Sequence, residues 1–144
     1  MDKSSPKTFE EFCQQHGLRV TPPRLSAYKI VRETTKPISA YEVLEQMSKD
    51  LKNPKPPTAY RALDFLEQHG FVHRIESLNA YVSCDVNHKH DGSQFMICDS
   101  CGNVDEIHLC SLPKTLNEKV ANENFTLRHW NVEVHGVCAD CKNP

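Results

Sequence analysis

PPTAYRALDFLEQHGFVHRIESLNAYVSC, residues 56–84, changes its period half-way along. Up to Gly70 the apolar residues Ala59, Ala62, Leu63 and Leu66 recur at helical spacing and leave Tyr60, Arg61 and Asp64 on another face. Thr58 is the expected N-cap of this helix and Gly70 its stop. Beyond Gly70 the period falls to two: FVHRIE (71–76) and YVSC (81–84) flank SLNA, which predicts a hairpin with a four-residue loop. A hairpin directly after a helix is the closing half of a winged helix-turn-helix, if helices also precede it.

Upstream the punctuation is helical. FEEFCQQHG (9–17) carries Phe9, Phe12 and Cys13 on one face and ends at Gly17. Thr21 caps a second helix with Pro22 at its first position, followed by Leu25, Tyr28 and Val31. Ser39 and Glu42 form a capping box ahead of Val43, Leu44, Met47 and Leu51, and NPKPP (53–57) closes that third helix. In a winged helix the last helix before the wing enters the major groove. Tyr60 and Arg61 are then the expected readers, with Thr58, Lys55, Tyr41 and Arg24 as further duplex contacts. A merely solvated helix face is the plain alternative for the same residues.

Downstream the chain reads as a small α+β unit. FMIC (95–98), VDEIHL (104–109) and FTLRHWNVEVHG (125–136) look like strands, and LPKTLNEKVANEN (112–124) like a helix. The expected fold class is α+β. It comprises a winged-helix DNA-binding domain (1–84), a hinge (85–94) and a dimerisation and metal-binding domain (95–144). Charge divides similarly: residues 1–75 hold 12 Lys and Arg against 9 Asp and Glu, residues 76–144 hold 5 against 10. A mildly basic module suits phosphate and an acidic one suits cations. With 25% charged and 38% hydrophobic residues, no leader and no apolar stretch of bilayer length, a cytoplasmic protein without a membrane span is expected.

The strongest chemical signal is a pair of CxxC motifs, Cys98 with Cys101 and Cys138 with Cys141. An odd total of 7 cysteines in a reducing compartment argues for metal over a disulfide framework. Four thiolates satisfy tetrahedral zinc and leave no open position, so this site staples structure. Thioredoxin-like chemistry is disfavoured, since no βαβ pattern surrounds either pair. The hairpin supplies a second constellation. With SLNA as the loop, His73 stands directly opposite Cys84, close enough to share one ion. His90 and Glu106 are the expected remaining ligands, with His88 the alternative to His90. A thiolate among imidazoles suits zinc better than iron or manganese. His88, Asp91, Glu123 and His129 make a weaker candidate for a further site, and Cys13 and Cys110 read as packing residues.

In order, KPPTAYRALDFLEQHGFVHRIESLNAYVSC, ICDSCGNVDE and FTLRHWNVEVHGVCADC closely resemble the Fur family of metal-dependent repressors, over nearly the whole chain. Cys84, in place of a non-thiol donor, brings the resemblance nearer to the family's zinc-sensing branch than to its iron-sensing one. Ala59 stands where the family usually has Val. The loop NHKHDGSQ differs in length from relatives, which leaves the choice between His88 and His90 open. The resemblance implies a homodimer whose C-terminal units pair and whose winged helices bind two-fold double-stranded operator DNA when zinc is bound, repressing zinc-uptake genes. It implies two Zn2+ per subunit, no organic cofactor and no catalytic residue. The rival readings are an iron or peroxide sensor of the same family and a zinc storage or carrier protein that binds no DNA. A hydrolase using Glu106 as base is disfavoured, because four protein ligands leave no place for water.

Overall fold

Turn chemistry sets the helix ends. A computed structural model describes residues 6–84, 92–107 and 112–143, and the chain divides into two units, Met1–His88 and Lys89–Pro144. In the first, α1 (Pro6–Gln15) ends at Gly17 with φ +65°, where Leu18 N–H donates to Cys13 O (2.8 Å) and Gly17 N–H to Gln14 O (3.4 Å). These two bonds satisfy carbonyls the last turn would leave open, and the left-handed φ suits glycine. α2 (Pro22–Glu33) starts on the Thr21 cap, as expected. α3 (Ala40–Met47) starts on the Ser39–Glu42 box, with Ser39 N–H donating to Glu42 Oε1 (3.2 Å) and Glu42 N–H to Ser39 Oγ (3.1 Å). Such a cap contributes about 1 kcal/mol.

α4 (Pro56–Gln68) departs from the expected start. Its N-cap is Lys55 without a side-chain bond, not Thr58, which lies within the first turn. Pro56 and Pro57 account for this, because proline at the first helical positions gives up no hydrogen bond and has its φ already set. Ala59, Ala62, Leu63 and Leu66 are buried as their spacing requires, joined by Phe65. Burying each leucine contributes roughly 2 kcal/mol. They pack into one cluster with Phe9, Cys13, Tyr28, Val31, Val43 and Met47. Phe9 stacks on Tyr28 at 4.8 Å and meets Phe71 edge-on at 5.1 Å. Burial pushes the Cys13 thiol pKa up, with Arg24 opposing it, which fits a packing residue.

The wing is β2 (Val72–Ile75) and β3 (Ala80–Ser83), and β3 also pairs with β1 (Ile38–Ser39) on its other edge. Its register corrects the expected one. Ile75 pairs with Ala80 and His73 with Val82, so His73 does not stand opposite Cys84. The loop is Glu76–Asn79: a 3-10 turn over Glu76–Leu78, then Asn79 in the left-handed region at φ 47°. Asn tolerates that conformation, so the turn closes immediately after Ile75 and Ala80 becomes strand. Opposite Cys84 stands Phe71, whose carbonyl accepts from Cys84 N–H at 3.0 Å. The shift is even, so His73 and Cys84 keep a common face as diagonal neighbours.

The second unit is a three-stranded sheet ordered β5-β4-β6, from β4 (Gly92–Cys98), β5 (Val104–Glu106) and β6 (Trp130–Gly136). β4 reaches back to Gly92, three residues before the expected strand. β5 pairs with it antiparallel and β6 parallel. A parallel partner needs a crossover, which α5 (Lys114–Asn122) supplies. At Gly92 a Cβ would run into the Trp130 ring and carbonyl, so this crossing of strands requires glycine. α6 (Ala139–Lys142) closes the described chain. Cys110, expected to pack, lies outside the described residues.

Candidate metal centre and duplex-reading face

Both cysteine pairs belong to the second unit. Cys98 ends β4, and Gly102 at φ +77° turns the chain so that its N–H donates to Cys98 O (2.9 Å), while Cys98 N–H donates to Asn103 O (2.9 Å). Cys138 is the N-cap of α6 and Cys141 lies on its first turn. The two segments are tied by Asp99 N–H donating to Gly136 O at 2.8 Å and by a 3.4 Å contact between Asp99 Oδ1 and His135 Nδ1. Sequence reasoning missed that tie. Its signal was the HGVC stretch one strand away, which no spacing rule connects to Asp99.

The result is a compact cluster of four sulfurs. All lie within 4.8 Å of one another, and Cys101 Sγ stands 3.8 Å from Cys138 Sγ. Sulfurs at the corners of a tetrahedron, each about 2.3 Å from zinc, stand about 3.8 Å apart. Cys98 Sγ accepts N–H bonds from Cys138 (3.3 Å) and Cys101 (3.5 Å). Backbone donation of this kind favours the thiolate and lowers the Cys98 pKa to about 6. Cys141 is pushed up to about 12, because the sulfurs of Cys138, Cys101 and Cys98 crowd it and share its proton. A thiolate favoured at Cys98 beside a Cys141 thiol that resists ionising makes a site that a dication completes. The residues fit zinc.

On the wing, a ring nitrogen of His73 and Cys84 Sγ lie within 4.8 Å of each other. His73 is buried and Cys84 half-buried. A soft and a borderline donor so placed can grip one ion from two sides. Glu106, half-buried, ends β5 opposite Phe95 in the second unit. His88 and His90 lie outside the described residues, as does Asp91.

The duplex candidates all fall in the first unit. Tyr60 is 48% exposed and Arg61 is exposed on α4, and Tyr41, 68% exposed, is on the first turn of α3. Lys55 is exposed at the α4 cap and Thr58 half-buried behind it. Arg24 is placed differently. Its guanidinium lies 3.8 Å over the Phe65 ring, and Nη1 donates to Arg19 O at 2.8 Å.

Residues 15–135, which take in the helices, the wing and the first CxxC pair, match the ferric uptake regulator family. The chain belongs to that family. Within the family it is 40% identical over 134 residues to the zinc uptake regulation protein of Escherichia coli, covering 92% of this chain and 78% of that one. A zinc uptake regulator solved in complex with zinc and DNA matches with a TM-score of 0.87 at 39% identity, over 95% of this chain and 92% of that one. The peroxide-responsive repressor PerR of Staphylococcus saprophyticus is more distant, 26% identical over 135 residues, 90% of this chain and 86% of that one.

Proposed function

We propose that this protein is a zinc-responsive transcriptional repressor that binds two-fold operator DNA as a homodimer and silences zinc-uptake genes. The observation that carries the reading is the His73–Cys84 pair on one face of the wing. A thiolate there selects zinc over iron or manganese, whose sites more often use nitrogen and oxygen alone. Each subunit holds two zinc ions. Cys98, Cys101, Cys138 and Cys141 keep one as a structural staple. His73 and Cys84, with His90 and Glu106, hold the regulatory one, His88 being the alternative to His90. Four protein ligands around each ion leave no water to activate, so the protein is not an enzyme. A repressor of this kind meets its operator in the cytoplasm, and among the described residues no helix is long and apolar enough to cross a membrane.

Dimerisation through the second unit is supported by what that unit leaves uncovered. α5 buries none of its residues, and Leu116 is 49% and Phe125 65% exposed. Met96 and Val134, cross-strand partners on β4 and β6, are also exposed. A helix stays folded chiefly by burying an apolar face, so a second copy is the natural cover. Leu116→Glu is expected to shift the zinc-loaded protein from dimer to monomer at micromolar concentration in sedimentation or light scattering, with its zinc retained. An unchanged dimer places the interface elsewhere.

The function is tested by titrating zinc into the chain with a two-fold AT-rich duplex while following anisotropy. A zinc-dependent gain in affinity is expected, and its absence overturns the reading. Arg61→Ala should weaken the specific complex by about 1 to 3 kcal/mol if Arg61 meets a base edge. An equal loss on every sequence would make it a phosphate contact instead. Zinc loading without any duplex affinity would leave a zinc store or carrier.

A further inference from the structure

Arg24 stands among the duplex candidates by charge, but its geometry assigns it other work. Its guanidinium carbon lies over the Phe65 ring, 3.8 Å from the centroid, and one of its nitrogens is committed to the Arg19 carbonyl at 2.8 Å. Its backbone N–H donates to the Thr21 cap at 3.4 Å, which fixes where the side chain leaves α2. Phe65 is buried on α4, four positions after Arg61, so the two occupy successive turns on one side of that helix. The Phe65 ring is itself packed against His69 at 4.6 Å and edge-on to Phe9 at 6.3 Å, so its position is tied to the core. Arg24 therefore joins three pieces: the connector that carries exposed Arg19, the first turn of α2, and the side of α4 beneath Arg61.

We propose that Arg24 is a positioning residue for duplex reading: it sets the pose of α4 against the Arg19 connector, acting through the Phe65 ring and the Arg19 carbonyl without contacting the duplex itself. This rests on the duplex-binding function proposed above. The planar guanidinium is needed because it can lie on a ring and donate at its edge simultaneously, whereas an ammonium offers a point charge. Charge alone should then not rescue the position.

The test uses full-length zinc-loaded protein carrying R24K, R24Q, F65L or R24K with F65L. Binding to a two-fold AT-rich duplex and to a scrambled one is measured across a salt series. R24K is expected to lose about tenfold in specific affinity despite keeping its charge. The ratio of specific to scrambled binding should fall with it. The slope of log K against log salt should be unchanged in R24Q, and the double variant should be no worse than the more affected single one, as expected when two groups act as one unit. A purely structural role would lower the thermal midpoint and the active fraction but leave the affinity ratio of the folded protein alone. R24K binding like wild type overturns the proposal. So does an R24Q slope shallower by about 0.9, the signature of one lost phosphate contact, and so do additive effects in the cycle. Should F65L not fold, R24K and R24Q decide. Wild type that binds no duplex sinks the functional reading and this inference together, whereas wild-type binding with an unaffected R24K sinks this inference alone.

Discussion

Cys101→Ser, or stripping the structural ion with a strong chelator, is expected to unfold the second unit and dissolve the dimer while the helices of the first unit persist. The second unit has little else to hold it. Its sheet has three strands, one of them only three residues long, and among the described residues its buried apolar side chains are few: Phe95, Ile97, Cys98 and Trp130. α5 adds none. Modules this small seldom hold together on hydrophobic burial alone, whereas a structural zinc in a four-cysteine site supplies an apparent binding free energy of about 10–16 kcal/mol at pH 7. The ion therefore outweighs the core. The first unit differs because its aromatic and aliphatic cluster is complete within residues 9–81. Metal analysis should show the structural zinc lost, sedimentation a monomer, and circular dichroism a retained helical signal. Zinc must displace protons from the sulfurs, Cys141 above all, so loading should also fall as pH drops toward the Cys98 value of about 6. A Cys101→Ser dimer with full zinc content would remove the staple from the account.

What the sequence disclosed and what it withheld divide along a physical line. Capping and burial periodicity are local, and Gly17, Thr21, the Ser39–Glu42 box and the stripe from Ala59 to Leu66 all sit in the elements their pattern demands. The four cysteines were legible because ligand chemistry is indifferent to the length of the chain between them. The wing was legible as a hairpin but not in register. Alternation marks the faces of both strands, and faces survive a slip of two, while the pairing depended on whether Asn79 would take the left-handed turn. Nothing in a sequence window announces β1, a two-residue strand paired across to β3, or the parallel match of β4 with β6. Arg24 on Phe65 was hidden for the same reason. A cation–ring contact between separate helices has no spacing, so the sequence offered Arg24 only as a duplex contact.

Cys84→Ser should abolish the response to zinc while sparing everything the first ion holds. Serine is close in size and keeps the strand, but a neutral hydroxyl is a poor ligand beside a thiolate, so the regulatory ion loses its softest donor. His73, its neighbour across the diagonal of the wing, is then left with an incomplete shell. On the proposed mechanism zinc acts by population: donors from the wing, the following loop and the strand after the first CxxC, gathered on one ion, select one pose from many, and that pose fits two successive major grooves. Coupling between an effector and a ligand is typically 1–3 kcal/mol, so a gain in duplex affinity of about 100-fold on zinc binding is within reach. In Cys84→Ser the gain should fall below about threefold, because an ion without differential affinity for the two states shifts nothing however much of it is supplied. Metal analysis should report one zinc per chain where wild type holds two, with the dimer intact, which separates this variant from Cys101→Ser. Linkage adds a check that does not depend on serine. The duplex must tighten wild-type zinc binding by the same factor that zinc tightens the duplex, and in Cys84→Ser both factors must collapse together. A Cys84→Ser protein that keeps its second zinc and its full response would show that the switch lies with other residues.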